Sequence, residues 1–262
     1  MTVATEAGRA WQAFGPDGFA DRLVVVTGAA GGIGLEAARA FHAHGARVVM
    51  VDVNAGLLSQ GAAGLPNATA VPLDIADSDQ VATEFARIQA EHGPIDHLVH
   101  AAAVITAKRF FEQDAAHWRR VLDVNLVGSF SVVRAALGPM AERGAGTIVV
   151  VASDAGFRGG GGLIADAPYA ASKAGVLSLV KSVAREFAGS GVRINALVPG
   201  PTDTPMHAAV SGDLKQRIAA GLPVGRMGRP DDMAAAILFL SSPAACFVYG
   251  SALDVDGGSM LR

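Results

Sequence analysis

The sequence predicts an α/β fold, a doubly wound parallel sheet of seven strands with helices on both faces. Seven short, mostly apolar runs lie at residues 23–26, 47–53, 69–73, 95–99, 147–152, 192–198 and 252–255. Apolar runs without strict alternation mark strands covered on both faces, as in a parallel sheet. Stretches with helical spacing separate these runs, for example Val81, Phe85 and Ile88, and a strand–helix alternation winds into a parallel order. A glycine-rich turn from Thr27 to Gly34 joins the first strand to the first helix. The expected strand order is 3-2-1-4-5-6-7, with a ligand crevice outside the carboxyl ends of the strands.

In the first unit, Gly28, Gly32 and Gly34 remove Cβ atoms where the backbone turns tightly, and residues 35–44 resume as a helix. Free N–H groups and the helix dipole at such a start hold a pyrophosphate. A nucleotide cofactor is therefore the first expectation. The second strand ends in Asp52, about twenty residues beyond the glycines, where a carboxylate accepts hydrogen bonds from the adenine ribose. The alternative for Asp52 is a helix cap. Ala29, Ala30, Gly31, Val53 and Asn54 supply no cation for a 2′-phosphate, so NAD is expected rather than NADP.

Residues 55–65 read as a small-residue helix or loop. The third strand ends in Asp74, which can reach the adenine edge, while Asp77 reads as the cap of a helix over 78–92 that Gly93 and Pro94 stop. The fourth strand runs into His100, Ala101, Ala102 and Ala103. One long helix follows over 114–142, with Leu122, Leu126, Phe130, Val133 and Leu137 near helical spacing. Asn125 sits among them, and a buried Asn needs partners, structural or functional. The fifth strand delivers Ser153, and the loop after it carries Gly159 to Gly162, for which mobility is expected. On a helix over 169–188, Tyr169 and Lys173 stand four apart and share a face. Pro199, Gly200 and Pro201 break the chain after the sixth strand. Residues 203–222 read as a short helical flap and 231–240 as a helix, and Gly257 and Gly258 close the last strand.

The 262 residues suffice for one large domain, read as 19–262 after an arm at 1–18 that Trp11 and Phe14 can pin to a neighbouring surface. The formal charge is −3 and the 21 Lys and Arg are scattered, which excludes a basic nucleic-acid surface. Cys246 is the only cysteine, so no intrachain disulfide forms. Met1 to Gly18 lacks the basic start and apolar segment of a leader. Residues 234–253 carry no charge, but Ser241, Ser242 and Pro243 interrupt them as a helix, turn and strand rather than a membrane span. The expectation is a cytoplasmic protein with no nucleic-acid or membrane partner. The histidines are dispersed, and no metal is expected.

In this order the motifs resemble the short-chain dehydrogenase/reductase family, from Leu23 to Gly258. The matching pieces are Thr27-Gly28-x3-Gly32-x-Gly34, Asp52, Asp74, Asn125 in VNLVG, Ser153, Tyr169-x3-Lys173, Asn195 to Gly200 in INALVPG, and the closing VDGG. The resemblance implies a single-domain Rossmann-type fold and hydride transfer between NAD(H) and a secondary alcohol or ketone. It implies Tyr169 as acid/base, Lys173 as its tuner and a ligand of the nicotinamide ribose, and Ser153 as a partner of the substrate oxygen. Asn125 would hold a water that links Lys173 to solvent. A free tyrosine has a pKa of about 10, and a nearby ammonium favours its phenolate. The resemblance also places Gly31, Ile33, Ile75, Ala102, Pro199, Gly200, Thr202 and Thr204 at the cofactor, beside Gly28, Gly32, Gly34, Asp52, Asp74, Tyr169 and Lys173. The substrate pocket is expected to draw on Ser153, Asp154, Phe157, Tyr169 and Met206, with Ile105 and His207 nearby.

Two departures stand out. His100-Ala101-Ala102-Ala103 replaces the Asn-Asn-Ala-Gly turn common in the family, with His100 expected to replace a structural hydrogen bond. The segment from Ser153 to Tyr169 is longer than usual and must bulge. A homotetramer is implied by the resemblance alone. A small cyclic alcohol or diol is the expected substrate. The alternatives are a 3-oxoacyl thioester and a non-catalytic NAD(H)-binding sensor or scaffold.

Overall fold

The computed structural model describes residues 18–160, 166–207 and 210–261. The arm at 1–17 lies outside them, as do Gly161 and Gly162 of the glycine run. The seven strands are β1 (Leu23–Thr27), β2 (Arg47–Asp52), β3 (Thr69–Pro72), β4 (His97–His100), β5 (Gly146–Val151), β6 (Val192–Pro199) and β7 (Ala252–Val255). They form one sheet in the order β3-β2-β1-β4-β5-β6-β7, every pairing parallel. Winding reverses between β1 and β4, where Thr27 pairs with His100. The crevice of a doubly wound sheet opens at that switch point.

The helices are α1 (Gly32–Ala43), α2 (Ala55–Ala63), α3 (Ser78–His92), α4 (Ala115–Leu122), α5 (Gly128–Arg143), α6 (Ala155–Arg158), α7 (Ala167–Glu186), α8 (Gly212–Gly221) and α9 (Pro230–Ser241). Alternation along β1 divides the core. Val25 faces a cluster with Val81, Phe85 and Ile88 of α3, Val132 and Leu137 of α5, and Val176 and Val180 of α7. Val24 and Val26 face another, with Ala37 and Phe41 of α1 and Met233 and Ile237 of α9. Phe85 is fully buried, so Phe85→Ala is expected to lower stability in urea by about 3–5 kcal/mol without altering the slope.

The structure departs from the sequence reading in three places. The long helix is not continuous: a single turn of π-helix, Asp123–Val127, sits between α4 and α5, with the Gly128 N–H bonded to the Asp123 carbonyl. The segment after Ser153 folds into the short α6 rather than a plain bulge. The expected flap divides into a 3₁₀ turn, Pro205–His207, and α8. The 29 residues of Ala115–Arg143 are long and apolar enough to cross a membrane, yet half of their most apolar window is buried inside the protein.

Candidate active site

The glycine turn is made by close approach. Gly28 has φ +72°, and a Cβ there would lie 2.6 Å from the Ala102 nitrogen and 2.7 Å from the Ala101 carbonyl carbon. A Cβ on Gly34 would strike the Gly28 carbonyl oxygen. The turn after β1 is thus pressed onto the turn after β4. Gly31 opens α1 with no side-chain cap, so the N–H groups of the first turn have no intrahelical partner. Gly31, Gly32, Ile33 and Gly34 line a cavity of about 570 Å³ at that point. A diphosphate fits such a helix start.

Asp52 ends β2 at the same cavity. Its Oδ2 accepts from the Ala30 N–H at 3.1 Å and its Oδ1 from the Asn54 N–H at 2.9 Å. Asn54, not Asp52, caps α2. Asp74 accepts from the Ala76 N–H at 3.0 Å, while Asp77 caps α3. Every residue named above for the cofactor lines the cavity, and so do Ile105, Ser153, Asp154 and Met206. Phe157 does not: α6 turns away directly after Asp154 and Ala155 and leaves Phe157 40% exposed. The His207 side chain lies outside the described residues.

Tyr169 stands in the first turn of α7 and Lys173 one turn later. The Lys173 Nζ lies 5.7 Å from the centre of the Tyr169 ring and donates to the Val151 carbonyl at 2.7 Å. Ser153, two residues beyond β5, hydrogen-bonds the Tyr169 side chain, and its Oγ accepts from the Ala155 N–H at 3.1 Å. A Cβ on Gly156 would lie 2.8 Å from the Lys173 carbonyl carbon, so α6 packs on α7 at the lysine. Asp154 accepts from the Ser259 hydroxyl at 3.0 Å and pairs with Arg158 at 3.3 Å, while Arg158 donates to the Ser259 hydroxyl at 2.7 Å. The residues after β7 are thereby clamped to the site floor.

Asn125 lies in the π turn, fully buried and off the cavity wall. Its Oδ1 accepts from the Val104 N–H at 2.8 Å, and its Nδ2 donates to the Val104 carbonyl at 2.9 Å and to Ser172 Oγ at 3.1 Å. Both amide protons are therefore committed to protein atoms.

Burial pushes the Tyr169 phenol up to about 12; the Ser153 hydrogen bond opposes this, and the Asp154 and Asp166 carboxylates reinforce it. Burial alone pulls Lys173 down to about 8. The sequence predicts an ammonium that holds the phenol down, but among the chain's own groups the desolvation of a phenolate outweighs it. Lys173 has a folded pKa below its ordinary 10.5, so the unfolded chain binds more protons between the two values. Stability from this group therefore rises with pH from about 8 to 10.5, and its charge is a cost at neutral pH. Lys173→Met is expected to raise stability in urea at neutral pH by about 1–3 kcal/mol; a fall would mean that the Val151 bond outweighs the buried charge.

Two features escaped the sequence. Arg120 lines the cavity one helical turn before Val124, and that spacing was the available signal. Asp166 is buried, its Oδ2 accepting from the Thr106 N–H and hydroxyl, each at 2.8 Å; the His117 Nε2 lies 3.0 Å from that hydroxyl. No local pattern joins residues 60 apart.

A family model described as enoyl-(acyl carrier protein) reductase matches residues 28–260. A cis-4-hydroxycyclohexanecarboxylate dehydrogenase from Sinomonas cyclohexanicum is 42% identical, over 92% of this chain and 98% of that protein. A galactitol 2-dehydrogenase (L-tagatose-forming) from Cereibacter sphaeroides is 40% identical over 89% and 92%. A 3-oxoacyl-[acyl-carrier-protein] reductase from Chlamydia muridarum is 32% identical over 91% and 97%. The crystal structure of a protein assigned as an NAD(P)-dependent gluconate 5-dehydrogenase from Beutenbergia cavernae, with NADP bound at low occupancy, superposes with a TM-score of 0.87 at 36% identity, over 95% of this chain and all of that one. The chain belongs to the short-chain dehydrogenase/reductase family, as a short-chain alcohol dehydrogenase/ketoreductase with a nicotinamide cofactor.

Proposed function

We propose that the enzyme is NAD-dependent and moves a hydride between NAD(H) and the carbon of a small cyclic secondary alcohol or its ketone. The observation that carries this is the placement of Ser153, Tyr169 and Lys173 on the same cavity as the uncapped α1 start and Asp52. Arg120 and Lys173 are the cations of the described wall, and Asp52 is flanked by Val51 and Val53, which supports NAD over NADP. A bound nicotinamide supplies the hydride acceptor or donor. Ser153 orients the substrate oxygen by a hydrogen bond. Tyr169 takes the hydroxyl proton at Oη in oxidation and returns it in reduction. Lys173, the cation nearest that ring, reduces the cost of the phenolate. Asn125 holds Val104 against α7.

Ile105 and Met206 beside Asp154 give the wall a mixed character, suited to a ring that carries polar groups, as in the relative named for a hydroxycyclohexanecarboxylate. Reduction of a 3-oxoacyl thioester is the second possibility, favoured by the description of the family model and by the reductase relative. A cytoplasmic homotetramer goes with the proposal, supported by exposed Val127 and Phe130 at the start of α5.

The test is NADH formation from NAD⁺, with NADP⁺ in parallel, over cyclic alcohols, cyclic diols, hexitols and 3-hydroxyacyl thioesters. The expected result is turnover of a cyclic alcohol with NAD⁺ at least about tenfold above that with NADP⁺. Turnover confined to the thioesters would overturn the substrate class, and a preference for NADP⁺ would overturn the cofactor.

A further inference from the structure

His100 replaces an asparagine common in the family, and its surroundings determine where its protons are. Thr27, His100, Asn125, Ser129 and Ser172 are each at most 1% exposed. The Asn125 carbonyl only accepts, so the Ser129 hydroxyl donates to it, at 2.6 Å. That bond uses the one Ser129 proton, and the His100 Nε2, 2.8 Å from Ser129 Oγ, must therefore be the donor between them. Burial and the Lys173 ammonium hold the imidazole pKa down to about 3, so the ring is neutral and its Nδ1 is bare. Nδ1 then accepts from the Thr27 hydroxyl at 2.7 Å.

The direction of every bond follows: Thr27 to His100, His100 to Ser129, Ser129 to the Asn125 carbonyl. The Asn125 amide carries the series onward to Ser172 Oγ at 3.1 Å, and the Ser172 hydroxyl donates to the Tyr169 carbonyl at 2.6 Å. One end lies beside Gly28 in the cofactor turn. The other is the backbone of the residue proposed as acid/base. A serine that bonds back to the carbonyl four residues earlier also bends a helix, and Ser129 does so onto the π turn.

We propose that His100, as the neutral Nε2–H tautomer, is a positioning residue that couples the cofactor turn to Tyr169 through Ser129, Asn125 and Ser172. The aligned bonds from Thr27 to the Asn125 main-chain carbonyl polarise one another in a dry interior, the Asn125 residue itself carries position from that carbonyl to its side-chain amide and Ser172, and a break at one point leaves buried groups unpaired. The position of Tyr169 then depends on the Nε2 donor, not merely on a side chain that fills the space.

His100→Gln presents an amide donor where Nε2 stands, and His100→Asn presents an acceptor where Nδ1 stands without reaching Ser129; Ser129→Ala removes the middle link. The chain has only two tyrosines, so ¹³C-tyrosine labelling gives two signals, and Tyr169→Phe assigns them. The expected result is a Tyr169 signal displaced in His100→Asn and Ser129→Ala and returned toward the wild-type position in His100→Gln. With NAD⁺ and the best alcohol of the panel, kcat falls about tenfold in the first two with KM for NAD⁺ within about twofold, and His100→Gln recovers most of it. ¹⁵N-histidine spectra of the wild type should show Nε2 protonated and Nδ1 bare. A protonated Nδ1, a Tyr169 signal unmoved in every variant, or identical behaviour of the Gln and Asn variants would overturn the coupling. The spectra need no substrate, so their outcome is separate from that of the proposed activity.

Discussion

Tyr169→Phe is expected to lower kcat by about three orders of magnitude and to change NADH affinity less than about threefold. The substitution removes one oxygen. The ring keeps its place in the first turn of α7 and its contact with Lys173, while Ser153 loses the phenol and keeps its bonds to Asp154 Oδ1 and the Ala155 N–H. Without Oη no side chain at that position can take or return the alcohol proton, and Ser153 alone polarises the substrate without moving a proton. Steady-state rates with NAD⁺, beside NADH fluorescence titration, separate the two effects. A variant that keeps more than about a tenth of the wild-type rate would remove Tyr169 from the acid/base role. A large loss of NADH affinity would make the hydroxyl a cofactor ligand first.

Gly28→Ala is expected to abolish measurable NADH binding and to lower the thermal midpoint. The left-handed backbone at φ +72° costs an alanine about 1–2 kcal/mol, but the larger effect is steric. The added carbon has backbone on its far side, 2.6 Å away at Ala102, and neither turn has a side chain that can move aside. The two turns must part, and the N–H groups that open α1 part with them. Titration with NADH and a melting curve read the two consequences separately. An alanine variant that binds NADH normally would mean that the turn has slack the packing denies.

The inner strands were legible because they show the same signal, an apolar run buried on both faces, and Val24 to Val26 by themselves serve both halves of the core; β3 and β7 at the sheet edges are only partly buried and were read from apolar runs alone. Tyr169 and Lys173 could be placed because their meaning is carried by spacing along one helix, and Asp52 because it ends the strand next after the glycine turn. The π turn could not be read, since the apolar spacing from Leu122 to Leu137 passes through Asn125 without a visible change of period. The partners that absorb the Asn125 amide, Val104 and Ser172, come from elements 21 and 47 residues away. Asp154 was legible as a cavity residue, but not its clamp on Ser259, 105 residues on. The pKa of Tyr169 in the chain alone was not legible for a related reason: the sequence shows a lysine four residues away but not the burial that raises the phenol.

The pairing of β1 with β4 also bears on how the chain folds. Thr27 and His100 are 73 residues apart, and every other register in the sheet is likewise a crossover. Closing loops of that length before their contacts reward it slows folding, so this is a high-contact-order chain. Until β4 docks, the glycine turn has no wall at Ala101 and Ala102 to rest on. The segment that holds the nucleotide is thus among the last to become rigid, and NADH can assist only the late steps of refolding.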